Sequence, residues 1–152
     1  MNRDHVPSPR PSSSAGPASS GRPRLSVRSE PAVPAELPGL RELDRKRAME
    51  LLGRAAVGRV VYTVDALPAV LPVPFRLVPG GVLVSAPADS ELARAVDGAV
   101  IAFEADEVDG RDGSGWFVTV LGRAQVRPAT ATAPDAVRIR IRPELVIGRC
   151  LV

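Results

Sequence analysis

Few side chains in this chain are equipped for chemistry on their own. The only histidine is His5, the only cysteine Cys150 and the only lysine Lys46. His5 lies in a Pro/Ser-rich leading segment, so the remainder has no member for a histidine-based triad or a Cys/His zinc site. A single cysteine forms no intrachain disulfide, and nothing beside Cys150 activates a thiolate. Lys46 sits in a charged helical segment, a poor setting for a Schiff-base amine, which needs a lowered pKa. Glu104, Asp106, Glu107 and Asp109 offer the oxygens a hard cation wants, but their spacing matches no EF-hand loop and reads as a solvated strand end. Gly110 to Gly115 is glycine-rich yet leads into a strand, whereas phosphate-cradling loops lead into a helix. Any redox or group-transfer activity must therefore come from a bound cofactor.

Two features could make room for one. Pro72 and Pro74 stand two residues apart in an apolar stretch, and each lacks a backbone N–H. Residues i and i+2 of a strand point their amides the same way, so two donors are missing on one side. That strand must be an edge or border a gap. A gap beside an apolar strand admits a flat ligand, and the plainer reading is an edge guarded against aggregation. Trp116 follows Ser114 and Gly115. A large aromatic usually anchors a core, but small residues before it let a ring approach the backbone.

The elements that position these residues follow from turn signals and periodicity. Leu40 to Ala55 has helical spacing of Leu40, Leu43, Met49, Leu51, Leu52 and Ala55, and Pro38-Gly39 blocks its extension backwards. Strands are expected at Val57–Val64, Ala69–Val78 and Val82–Ser85, the first two separated by a turn at Asp65–Pro68. Asp89 or Ser90 caps a short helix, Glu91–Val96. Further strands are expected from Ala99 to about Glu104, from Gly115 to about Arg127 and at Val137–Arg142. Pro128 to Asp135 reads as a connector, and Leu145 to Val152 as a short edge segment. Six strands with hairpin-length links and two helices describe a mainly β (α+β) domain, a six-stranded antiparallel split barrel with two covering helices. Several strands are apolar on both faces. One small barrel buries only its interior, so a homodimer interface is expected to cover part of the outside.

Composition separates two parts of the 152 residues. Residues 1–38 hold eight of the sixteen prolines and eight serines, with no apolar period. They read as a disordered tail that is neither a secretory signal nor a membrane anchor. Five Arg against three acids give the tail +2, and fifteen basic against fourteen acidic residues give 39–152 only +1. The domain thus lacks the strong positive field that sequence-independent nucleic-acid binding needs. Arg138, Arg140 and Arg142 alternate on one strand face, read as a solvated outer face.

The order of these segments resembles the pyridoxamine 5′-phosphate oxidase-like flavin-binding split-barrel family, over about residues 40–152. Val73, Pro74 and Phe75, with the strand ending in Ser85, look like the family's flavin-lining strand pair. Ala86, Pro87, Ser90 and Glu91 resemble its phosphate-contacting turn. Gly115 and Trp116 resemble its Ser-Gly-Trp strand start near the flavin. The resemblance implies FMN, or a deazaflavin in some members, bound at a dimer interface, with no catalytic protein residue required. It implies a cytoplasmic oxidoreductase-like protein with a small-molecule redox substrate, and neither a nucleic-acid nor a membrane partner. The chain departs from the family at three places. Glu91 stands where many relatives have Lys, Pro74 often corresponds to a polar residue, and 128–136 is short. Glu91 favours an alternative, a cofactor-free split barrel acting as a dimeric interaction module.

Overall fold

The computed structural model describes residues 39–151. The expected tail, residues 1–38, lies outside the described residues. Seven strands and two helices follow in the order β1 (Leu40–Leu43), α1 (Arg45–Leu52), β2 (Val57–Val64), β3 (Leu67–Val78), β4 (Gly81–Pro87), α2 (Glu91–Val96), β5 (Val100–Val108), β6 (Gly115–Thr130) and β7 (Ala133–Leu151). The sheet runs β1-β7-β4-β3-β2-β5-β6, and pairing of β6 with β7 closes it. The result is a closed six-stranded antiparallel barrel with β1 added outside the ring. Closure removes most free strand edges.

Four expectations are corrected. Residues 40–43 are a strand, not the first turn of a helix. Asp44 has an extended backbone, and its carboxylate accepts the Arg47 N–H at 2.9 Å, so the helix starts there. The preceding leucines instead pair with β7, Leu40 opposite Leu151 and Leu43 opposite Gly148. Likewise, 128–135 is not a loose connector. β6 and β7 continue through it as one hairpin, with Thr130 opposite Ala133. Pro128 is accommodated beside a register irregularity, where a missing N–H costs the ladder least. Leu145 to Leu151 continues β7 and does not form a separate edge segment. The turn after β2 is narrower than expected: Asp65 and Ala66, at φ 49° and 64°, span it alone, with Val64 opposite Leu67. Left-handed conformation at both central residues is what a type I′ two-residue hairpin loop requires.

The interior is lined by alternate residues of every barrel strand. Val60, Val82, Val84, Phe103, Val118, Val120, Ile139 and Ile141 are fully buried there. Phe103 fits because β2 carries glycine two residues from Val60, the residue opposite it: a Cβ on Gly58 would lie 2.2 Å from Phe103 Cζ. Ala48, Leu51 and Leu52 of α1 and Leu92, Ala93 and Val96 of α2 complete the same core. Among the described residues no helix is long and apolar enough to cross a membrane.

Candidate functional site

The proline pair does what its missing donors demand. β2 pairs with β3 along the whole length of β2, Val64 opposite Leu67 and Val57 opposite Pro74. With β4 it pairs only from Phe75 to Val78. The Phe75 N–H donates to Ala56 O on the β2 side (3.4 Å). By alternation, the nitrogens of Pro72 and Pro74 face the β4 side, where neither has a hydrogen to give. The β3–β4 ladder therefore stops at Phe75–Val84. At this ladder end the two strands form a cleft of about 230 Å³, lined by Pro74, Phe75, Arg76, Leu83 and Ser85. Phe75 also packs edge-on against Phe103, centroids 4.7 Å apart, which ties the cleft to the rigid core. Val73 is 6 % exposed and points into that core.

The turn after β4 is occupied with itself. Ser90 Oγ donates to Pro87 O at 2.7 Å and accepts the Ala93 N–H at 3.2 Å, capping the six-residue α2. Arg94 donates to Asp89 O. Ala86 is half-buried against the core, and Pro87 is exposed. Glu91 accepts the hydroxyl of Tyr62 at 3.4 Å. Burial pushes the Tyr62 phenol pKa up, and the Glu91 charge pushes it further. Glu91 lines a separate cleft with Thr63, Asp65 and Arg94.

Gly115 and Trp116 lie elsewhere. Trp116 is 7 % exposed, paired with Glu107 on β5 and Cys150 on β7. With Arg54, Glu107, Asp109 and Ser114 these two residues line a third hollow of about 220 Å³. The loop before them is held by Asp112, which accepts both the N–H and the hydroxyl of Ser114, and these bonds lower its carboxyl pKa. β3 and β6 are three strands apart whichever way the ring is counted. Within one chain, then, Pro74, Phe75 and Ser85 share a cleft, while Trp116 belongs to the opposite wall.

The acidic run is partly engaged as well. Arg59 on β2 reaches Glu104 at 3.1 Å and also Asp106, and both raise its pKa, Asp106 more. Among the described residues no group of three or more His, Cys, Asp or Glu is placed to hold a metal ion. Sequence reasoning missed Arg76 and Leu83 as cleft residues. Their signal was available, because Arg76 shares a strand face with Pro74 and Leu83 shares one with Ser85.

Comparison with known proteins adds to this geometry. The family model described as pyridoxamine 5′-phosphate oxidase matches residues 44–145. The chain is 36 % identical over 143 residues to the uncharacterised protein Rv0080 of Mycobacterium tuberculosis, covering 82 % of this chain and 93 % of that one. The solved FAD-binding protein from Mycobacterium smegmatis superposes with a TM-score of 0.63 at 30 % identity, over 74 % of this chain and 99 % of the other. A structure from Corynebacterium glutamicum described as a pyridoxamine 5′-phosphate oxidase gives 0.60 at 25 % identity, over 74 % and 98 %. The family-model match over residues 44–145, on a closed six-stranded barrel, places this chain in the pyridoxamine 5′-phosphate oxidase family of split barrels.

Proposed function

We propose that the protein is a flavin-nucleotide-binding oxidoreductase whose site is the Pro74–Phe75–Ser85 cleft, closed by a second copy of the chain. The observation that carries this reading is the end of the β3–β4 ladder at Phe75, imposed by two prolines, beside an apolar floor of Leu83. Small-molecule sites usually measure about 300–1,000 Å³. The cleft of one chain, about 230 Å³, falls short of that range, so a further wall is needed. The outer face of the barrel supplies a surface for it. Cross-strand pairing lines up Val70, Val61, Ala102, Leu121 and Leu145 in one apolar row over β3, β2, β5, β6 and β7. Val70 is 59 % exposed and Leu145 37 %. The row begins on the same face of β3 that carries Pro72 and Pro74, so a partner covering it also borders the cleft. A bound flavin supplies hydride and electron chemistry; the protein's part is to hold the ring, exclude water and orient a substrate.

FMN is the expected form, and the FAD-binding relative at 30 % identity supports a flavin in general. Purification tests the reading directly. A yellow protein that releases flavin and has twice the chain mass in light scattering is the expected result. A colourless monomer that fails flavin titration overturns it.

A second reading, a cofactor-free dimeric interaction module, is favoured by one observation. The 86–91 turn has its Ser90 hydroxyl and Glu91 carboxylate engaged within the protein. Glu91→Lys separates the readings. Tighter FMN binding supports a phosphate at that turn, and unchanged affinity counts against that placement.

A further inference from the structure

The flavin cleft adjoins a second hollow that the function above does not use. It measures about 330 Å³ and is lined by Leu83, Gln125, Arg127, Pro128, Arg138 and Arg140. Leu83 lines both hollows, so they meet along that side chain. The register explains the crowding of arginines. Leu83 pairs with Arg140 and Ser85 with Arg138 on β7, and across β7 these two face Gln125 and Arg127 on β6. Arg127 and Arg138 are direct cross-strand neighbours, a like-charge arrangement that destabilises a sheet. Arg123 and Arg142, beyond the Gln125–Arg140 pair on the same face, repeat it. None of these arginines takes part in an ion pair among the described residues. The nearby Asp97 carboxylate is engaged by the Val126 N–H at 2.9 Å. A charge of +3 thus lines one concave surface without a lining carboxylate.

We propose that this hollow binds the diphosphate of a nucleotide ester. Guanidinium forks match phosphate oxygens in paired hydrogen bonds, and a ligand between Arg127 and Arg138 relieves their repulsion. A phosphate monoester offers its acceptor oxygens around one phosphorus, whereas a diphosphate spreads more of them over two, so three guanidinium forks find partners on it with less crowding. Residues two apart on a strand are separated by roughly 7 Å, so Arg138 and Arg140 reach two successive phosphates better than one. The ligand has two sources. It is the diphosphate of FAD, with its flavin in the adjoining cleft, or a nucleoside diphosphate bound alone. Only the first source rests on the flavin reading.

Calorimetric titration of the full-length protein with FMN, FAD and ADP distinguishes them. FAD binding at least about tenfold tighter than FMN, with the difference abolished in Arg127→Gln/Arg138→Gln and FMN affinity retained, supports the hollow and assigns it to FAD. ADP binding that disappears in the same variant, with FAD no tighter than FMN, supports the hollow and assigns it to a separate nucleotide. ADP binding without either flavin keeps the hollow and removes the flavin reading. Equal FMN and FAD affinities with no ADP binding overturn the proposal and leave the flavin reading standing. No binding of any of the three overturns both. Arg45→Gln, an exposed arginine on α1, is the charge control and leaves all three affinities unchanged. Loss of ADP binding in this control to the same degree as in the double variant also overturns the proposal.

Discussion

Two rows of cross-strand neighbours leave β3 in opposite directions around the barrel and end up with opposite characters. One runs Val70, Val61, Ala102, Leu121 and Leu145, without a charge. The other runs Arg76, Leu83, Arg140 and Gln125, with Arg138 and Arg127 one step along the same face. Both are outer surface, and both sit over the same buried core. Their difference shows that the exterior of this barrel is not a uniform solvated skin. One row has the composition of a surface that seeks protein, the other of a surface that seeks an anion. The cleft at Pro74 lies between them on β3 and β4, where both influences reach it.

The largest effect is expected from charging the apolar row. Val61→Asp with Leu121→Asp places carboxylates in the proposed interface, and burying an unpaired charge costs several kcal/mol. Self-association weakens by at least about a hundredfold, roughly 3 kcal/mol, read as a fall to monomer mass in sedimentation. Persistence of the dimer moves the interface elsewhere. Next comes the cleft. Pro72→Val with Pro74→Val restores two N–H donors, each worth about 0.5–1.5 kcal/mol if the β3–β4 ladder extends. Chemical denaturation then shows a gain in stability, while flavin affinity falls at least about tenfold. A variant that gains neither stability nor loses affinity shows that the prolines do not hold the cleft open.

The interior side of the apolar row's strand gives a pH test. The Tyr62 phenol has a folded pKa above its ordinary value of 10, because burial and Glu91 oppose the phenolate. Stability from this group is therefore whole below pH 10 and declines as pH rises through the folded value, since the unfolded chain releases the proton first. Tyr62→Phe flattens that alkaline decline in thermal melts between pH 9 and 11, and an unchanged slope sets the cause elsewhere. The smallest effect belongs to the arginine row. Arg127→Gln removes one member of a like-charge pair worth about 0.2–1 kcal/mol. Low-salt melting should rise by a degree or two and the gain should shrink in high salt. A loss of stability means that Arg127 has a favourable partner.

Much of this architecture was legible from residues alone. The α2 boundaries, the proline-interrupted strand and the two-faced apolar strands follow from capping residues, missing donors and period-2 patterning, all local rules. What was hidden is non-local. Leu40 to Leu43 has a helical pattern, and only the availability of β7 as a partner makes it a strand. Pro128 and its Ala/Thr neighbours look like a linker because nothing in them reveals that β6 and β7 stay paired around them. The site divides in the same way. Pro74 and Ser85 are close because adjacent strands carry them, whereas Trp116 was grouped with them by family likeness and lies across the ring. The arginines of β7 read as a solvated face from their own strand. Their meaning appears only when β6 brings Arg127 opposite Arg138.

Pairing of Leu40 with Leu151 spans nearly the whole described region, and the final strand holds β1, β4 and β6 at once. A ribosome releasing this chain must deliver β7 before the ring can shut. Until then the valine-rich strands wait with their ladders unfinished, so the nascent barrel is at its stickiest just before β7 emerges.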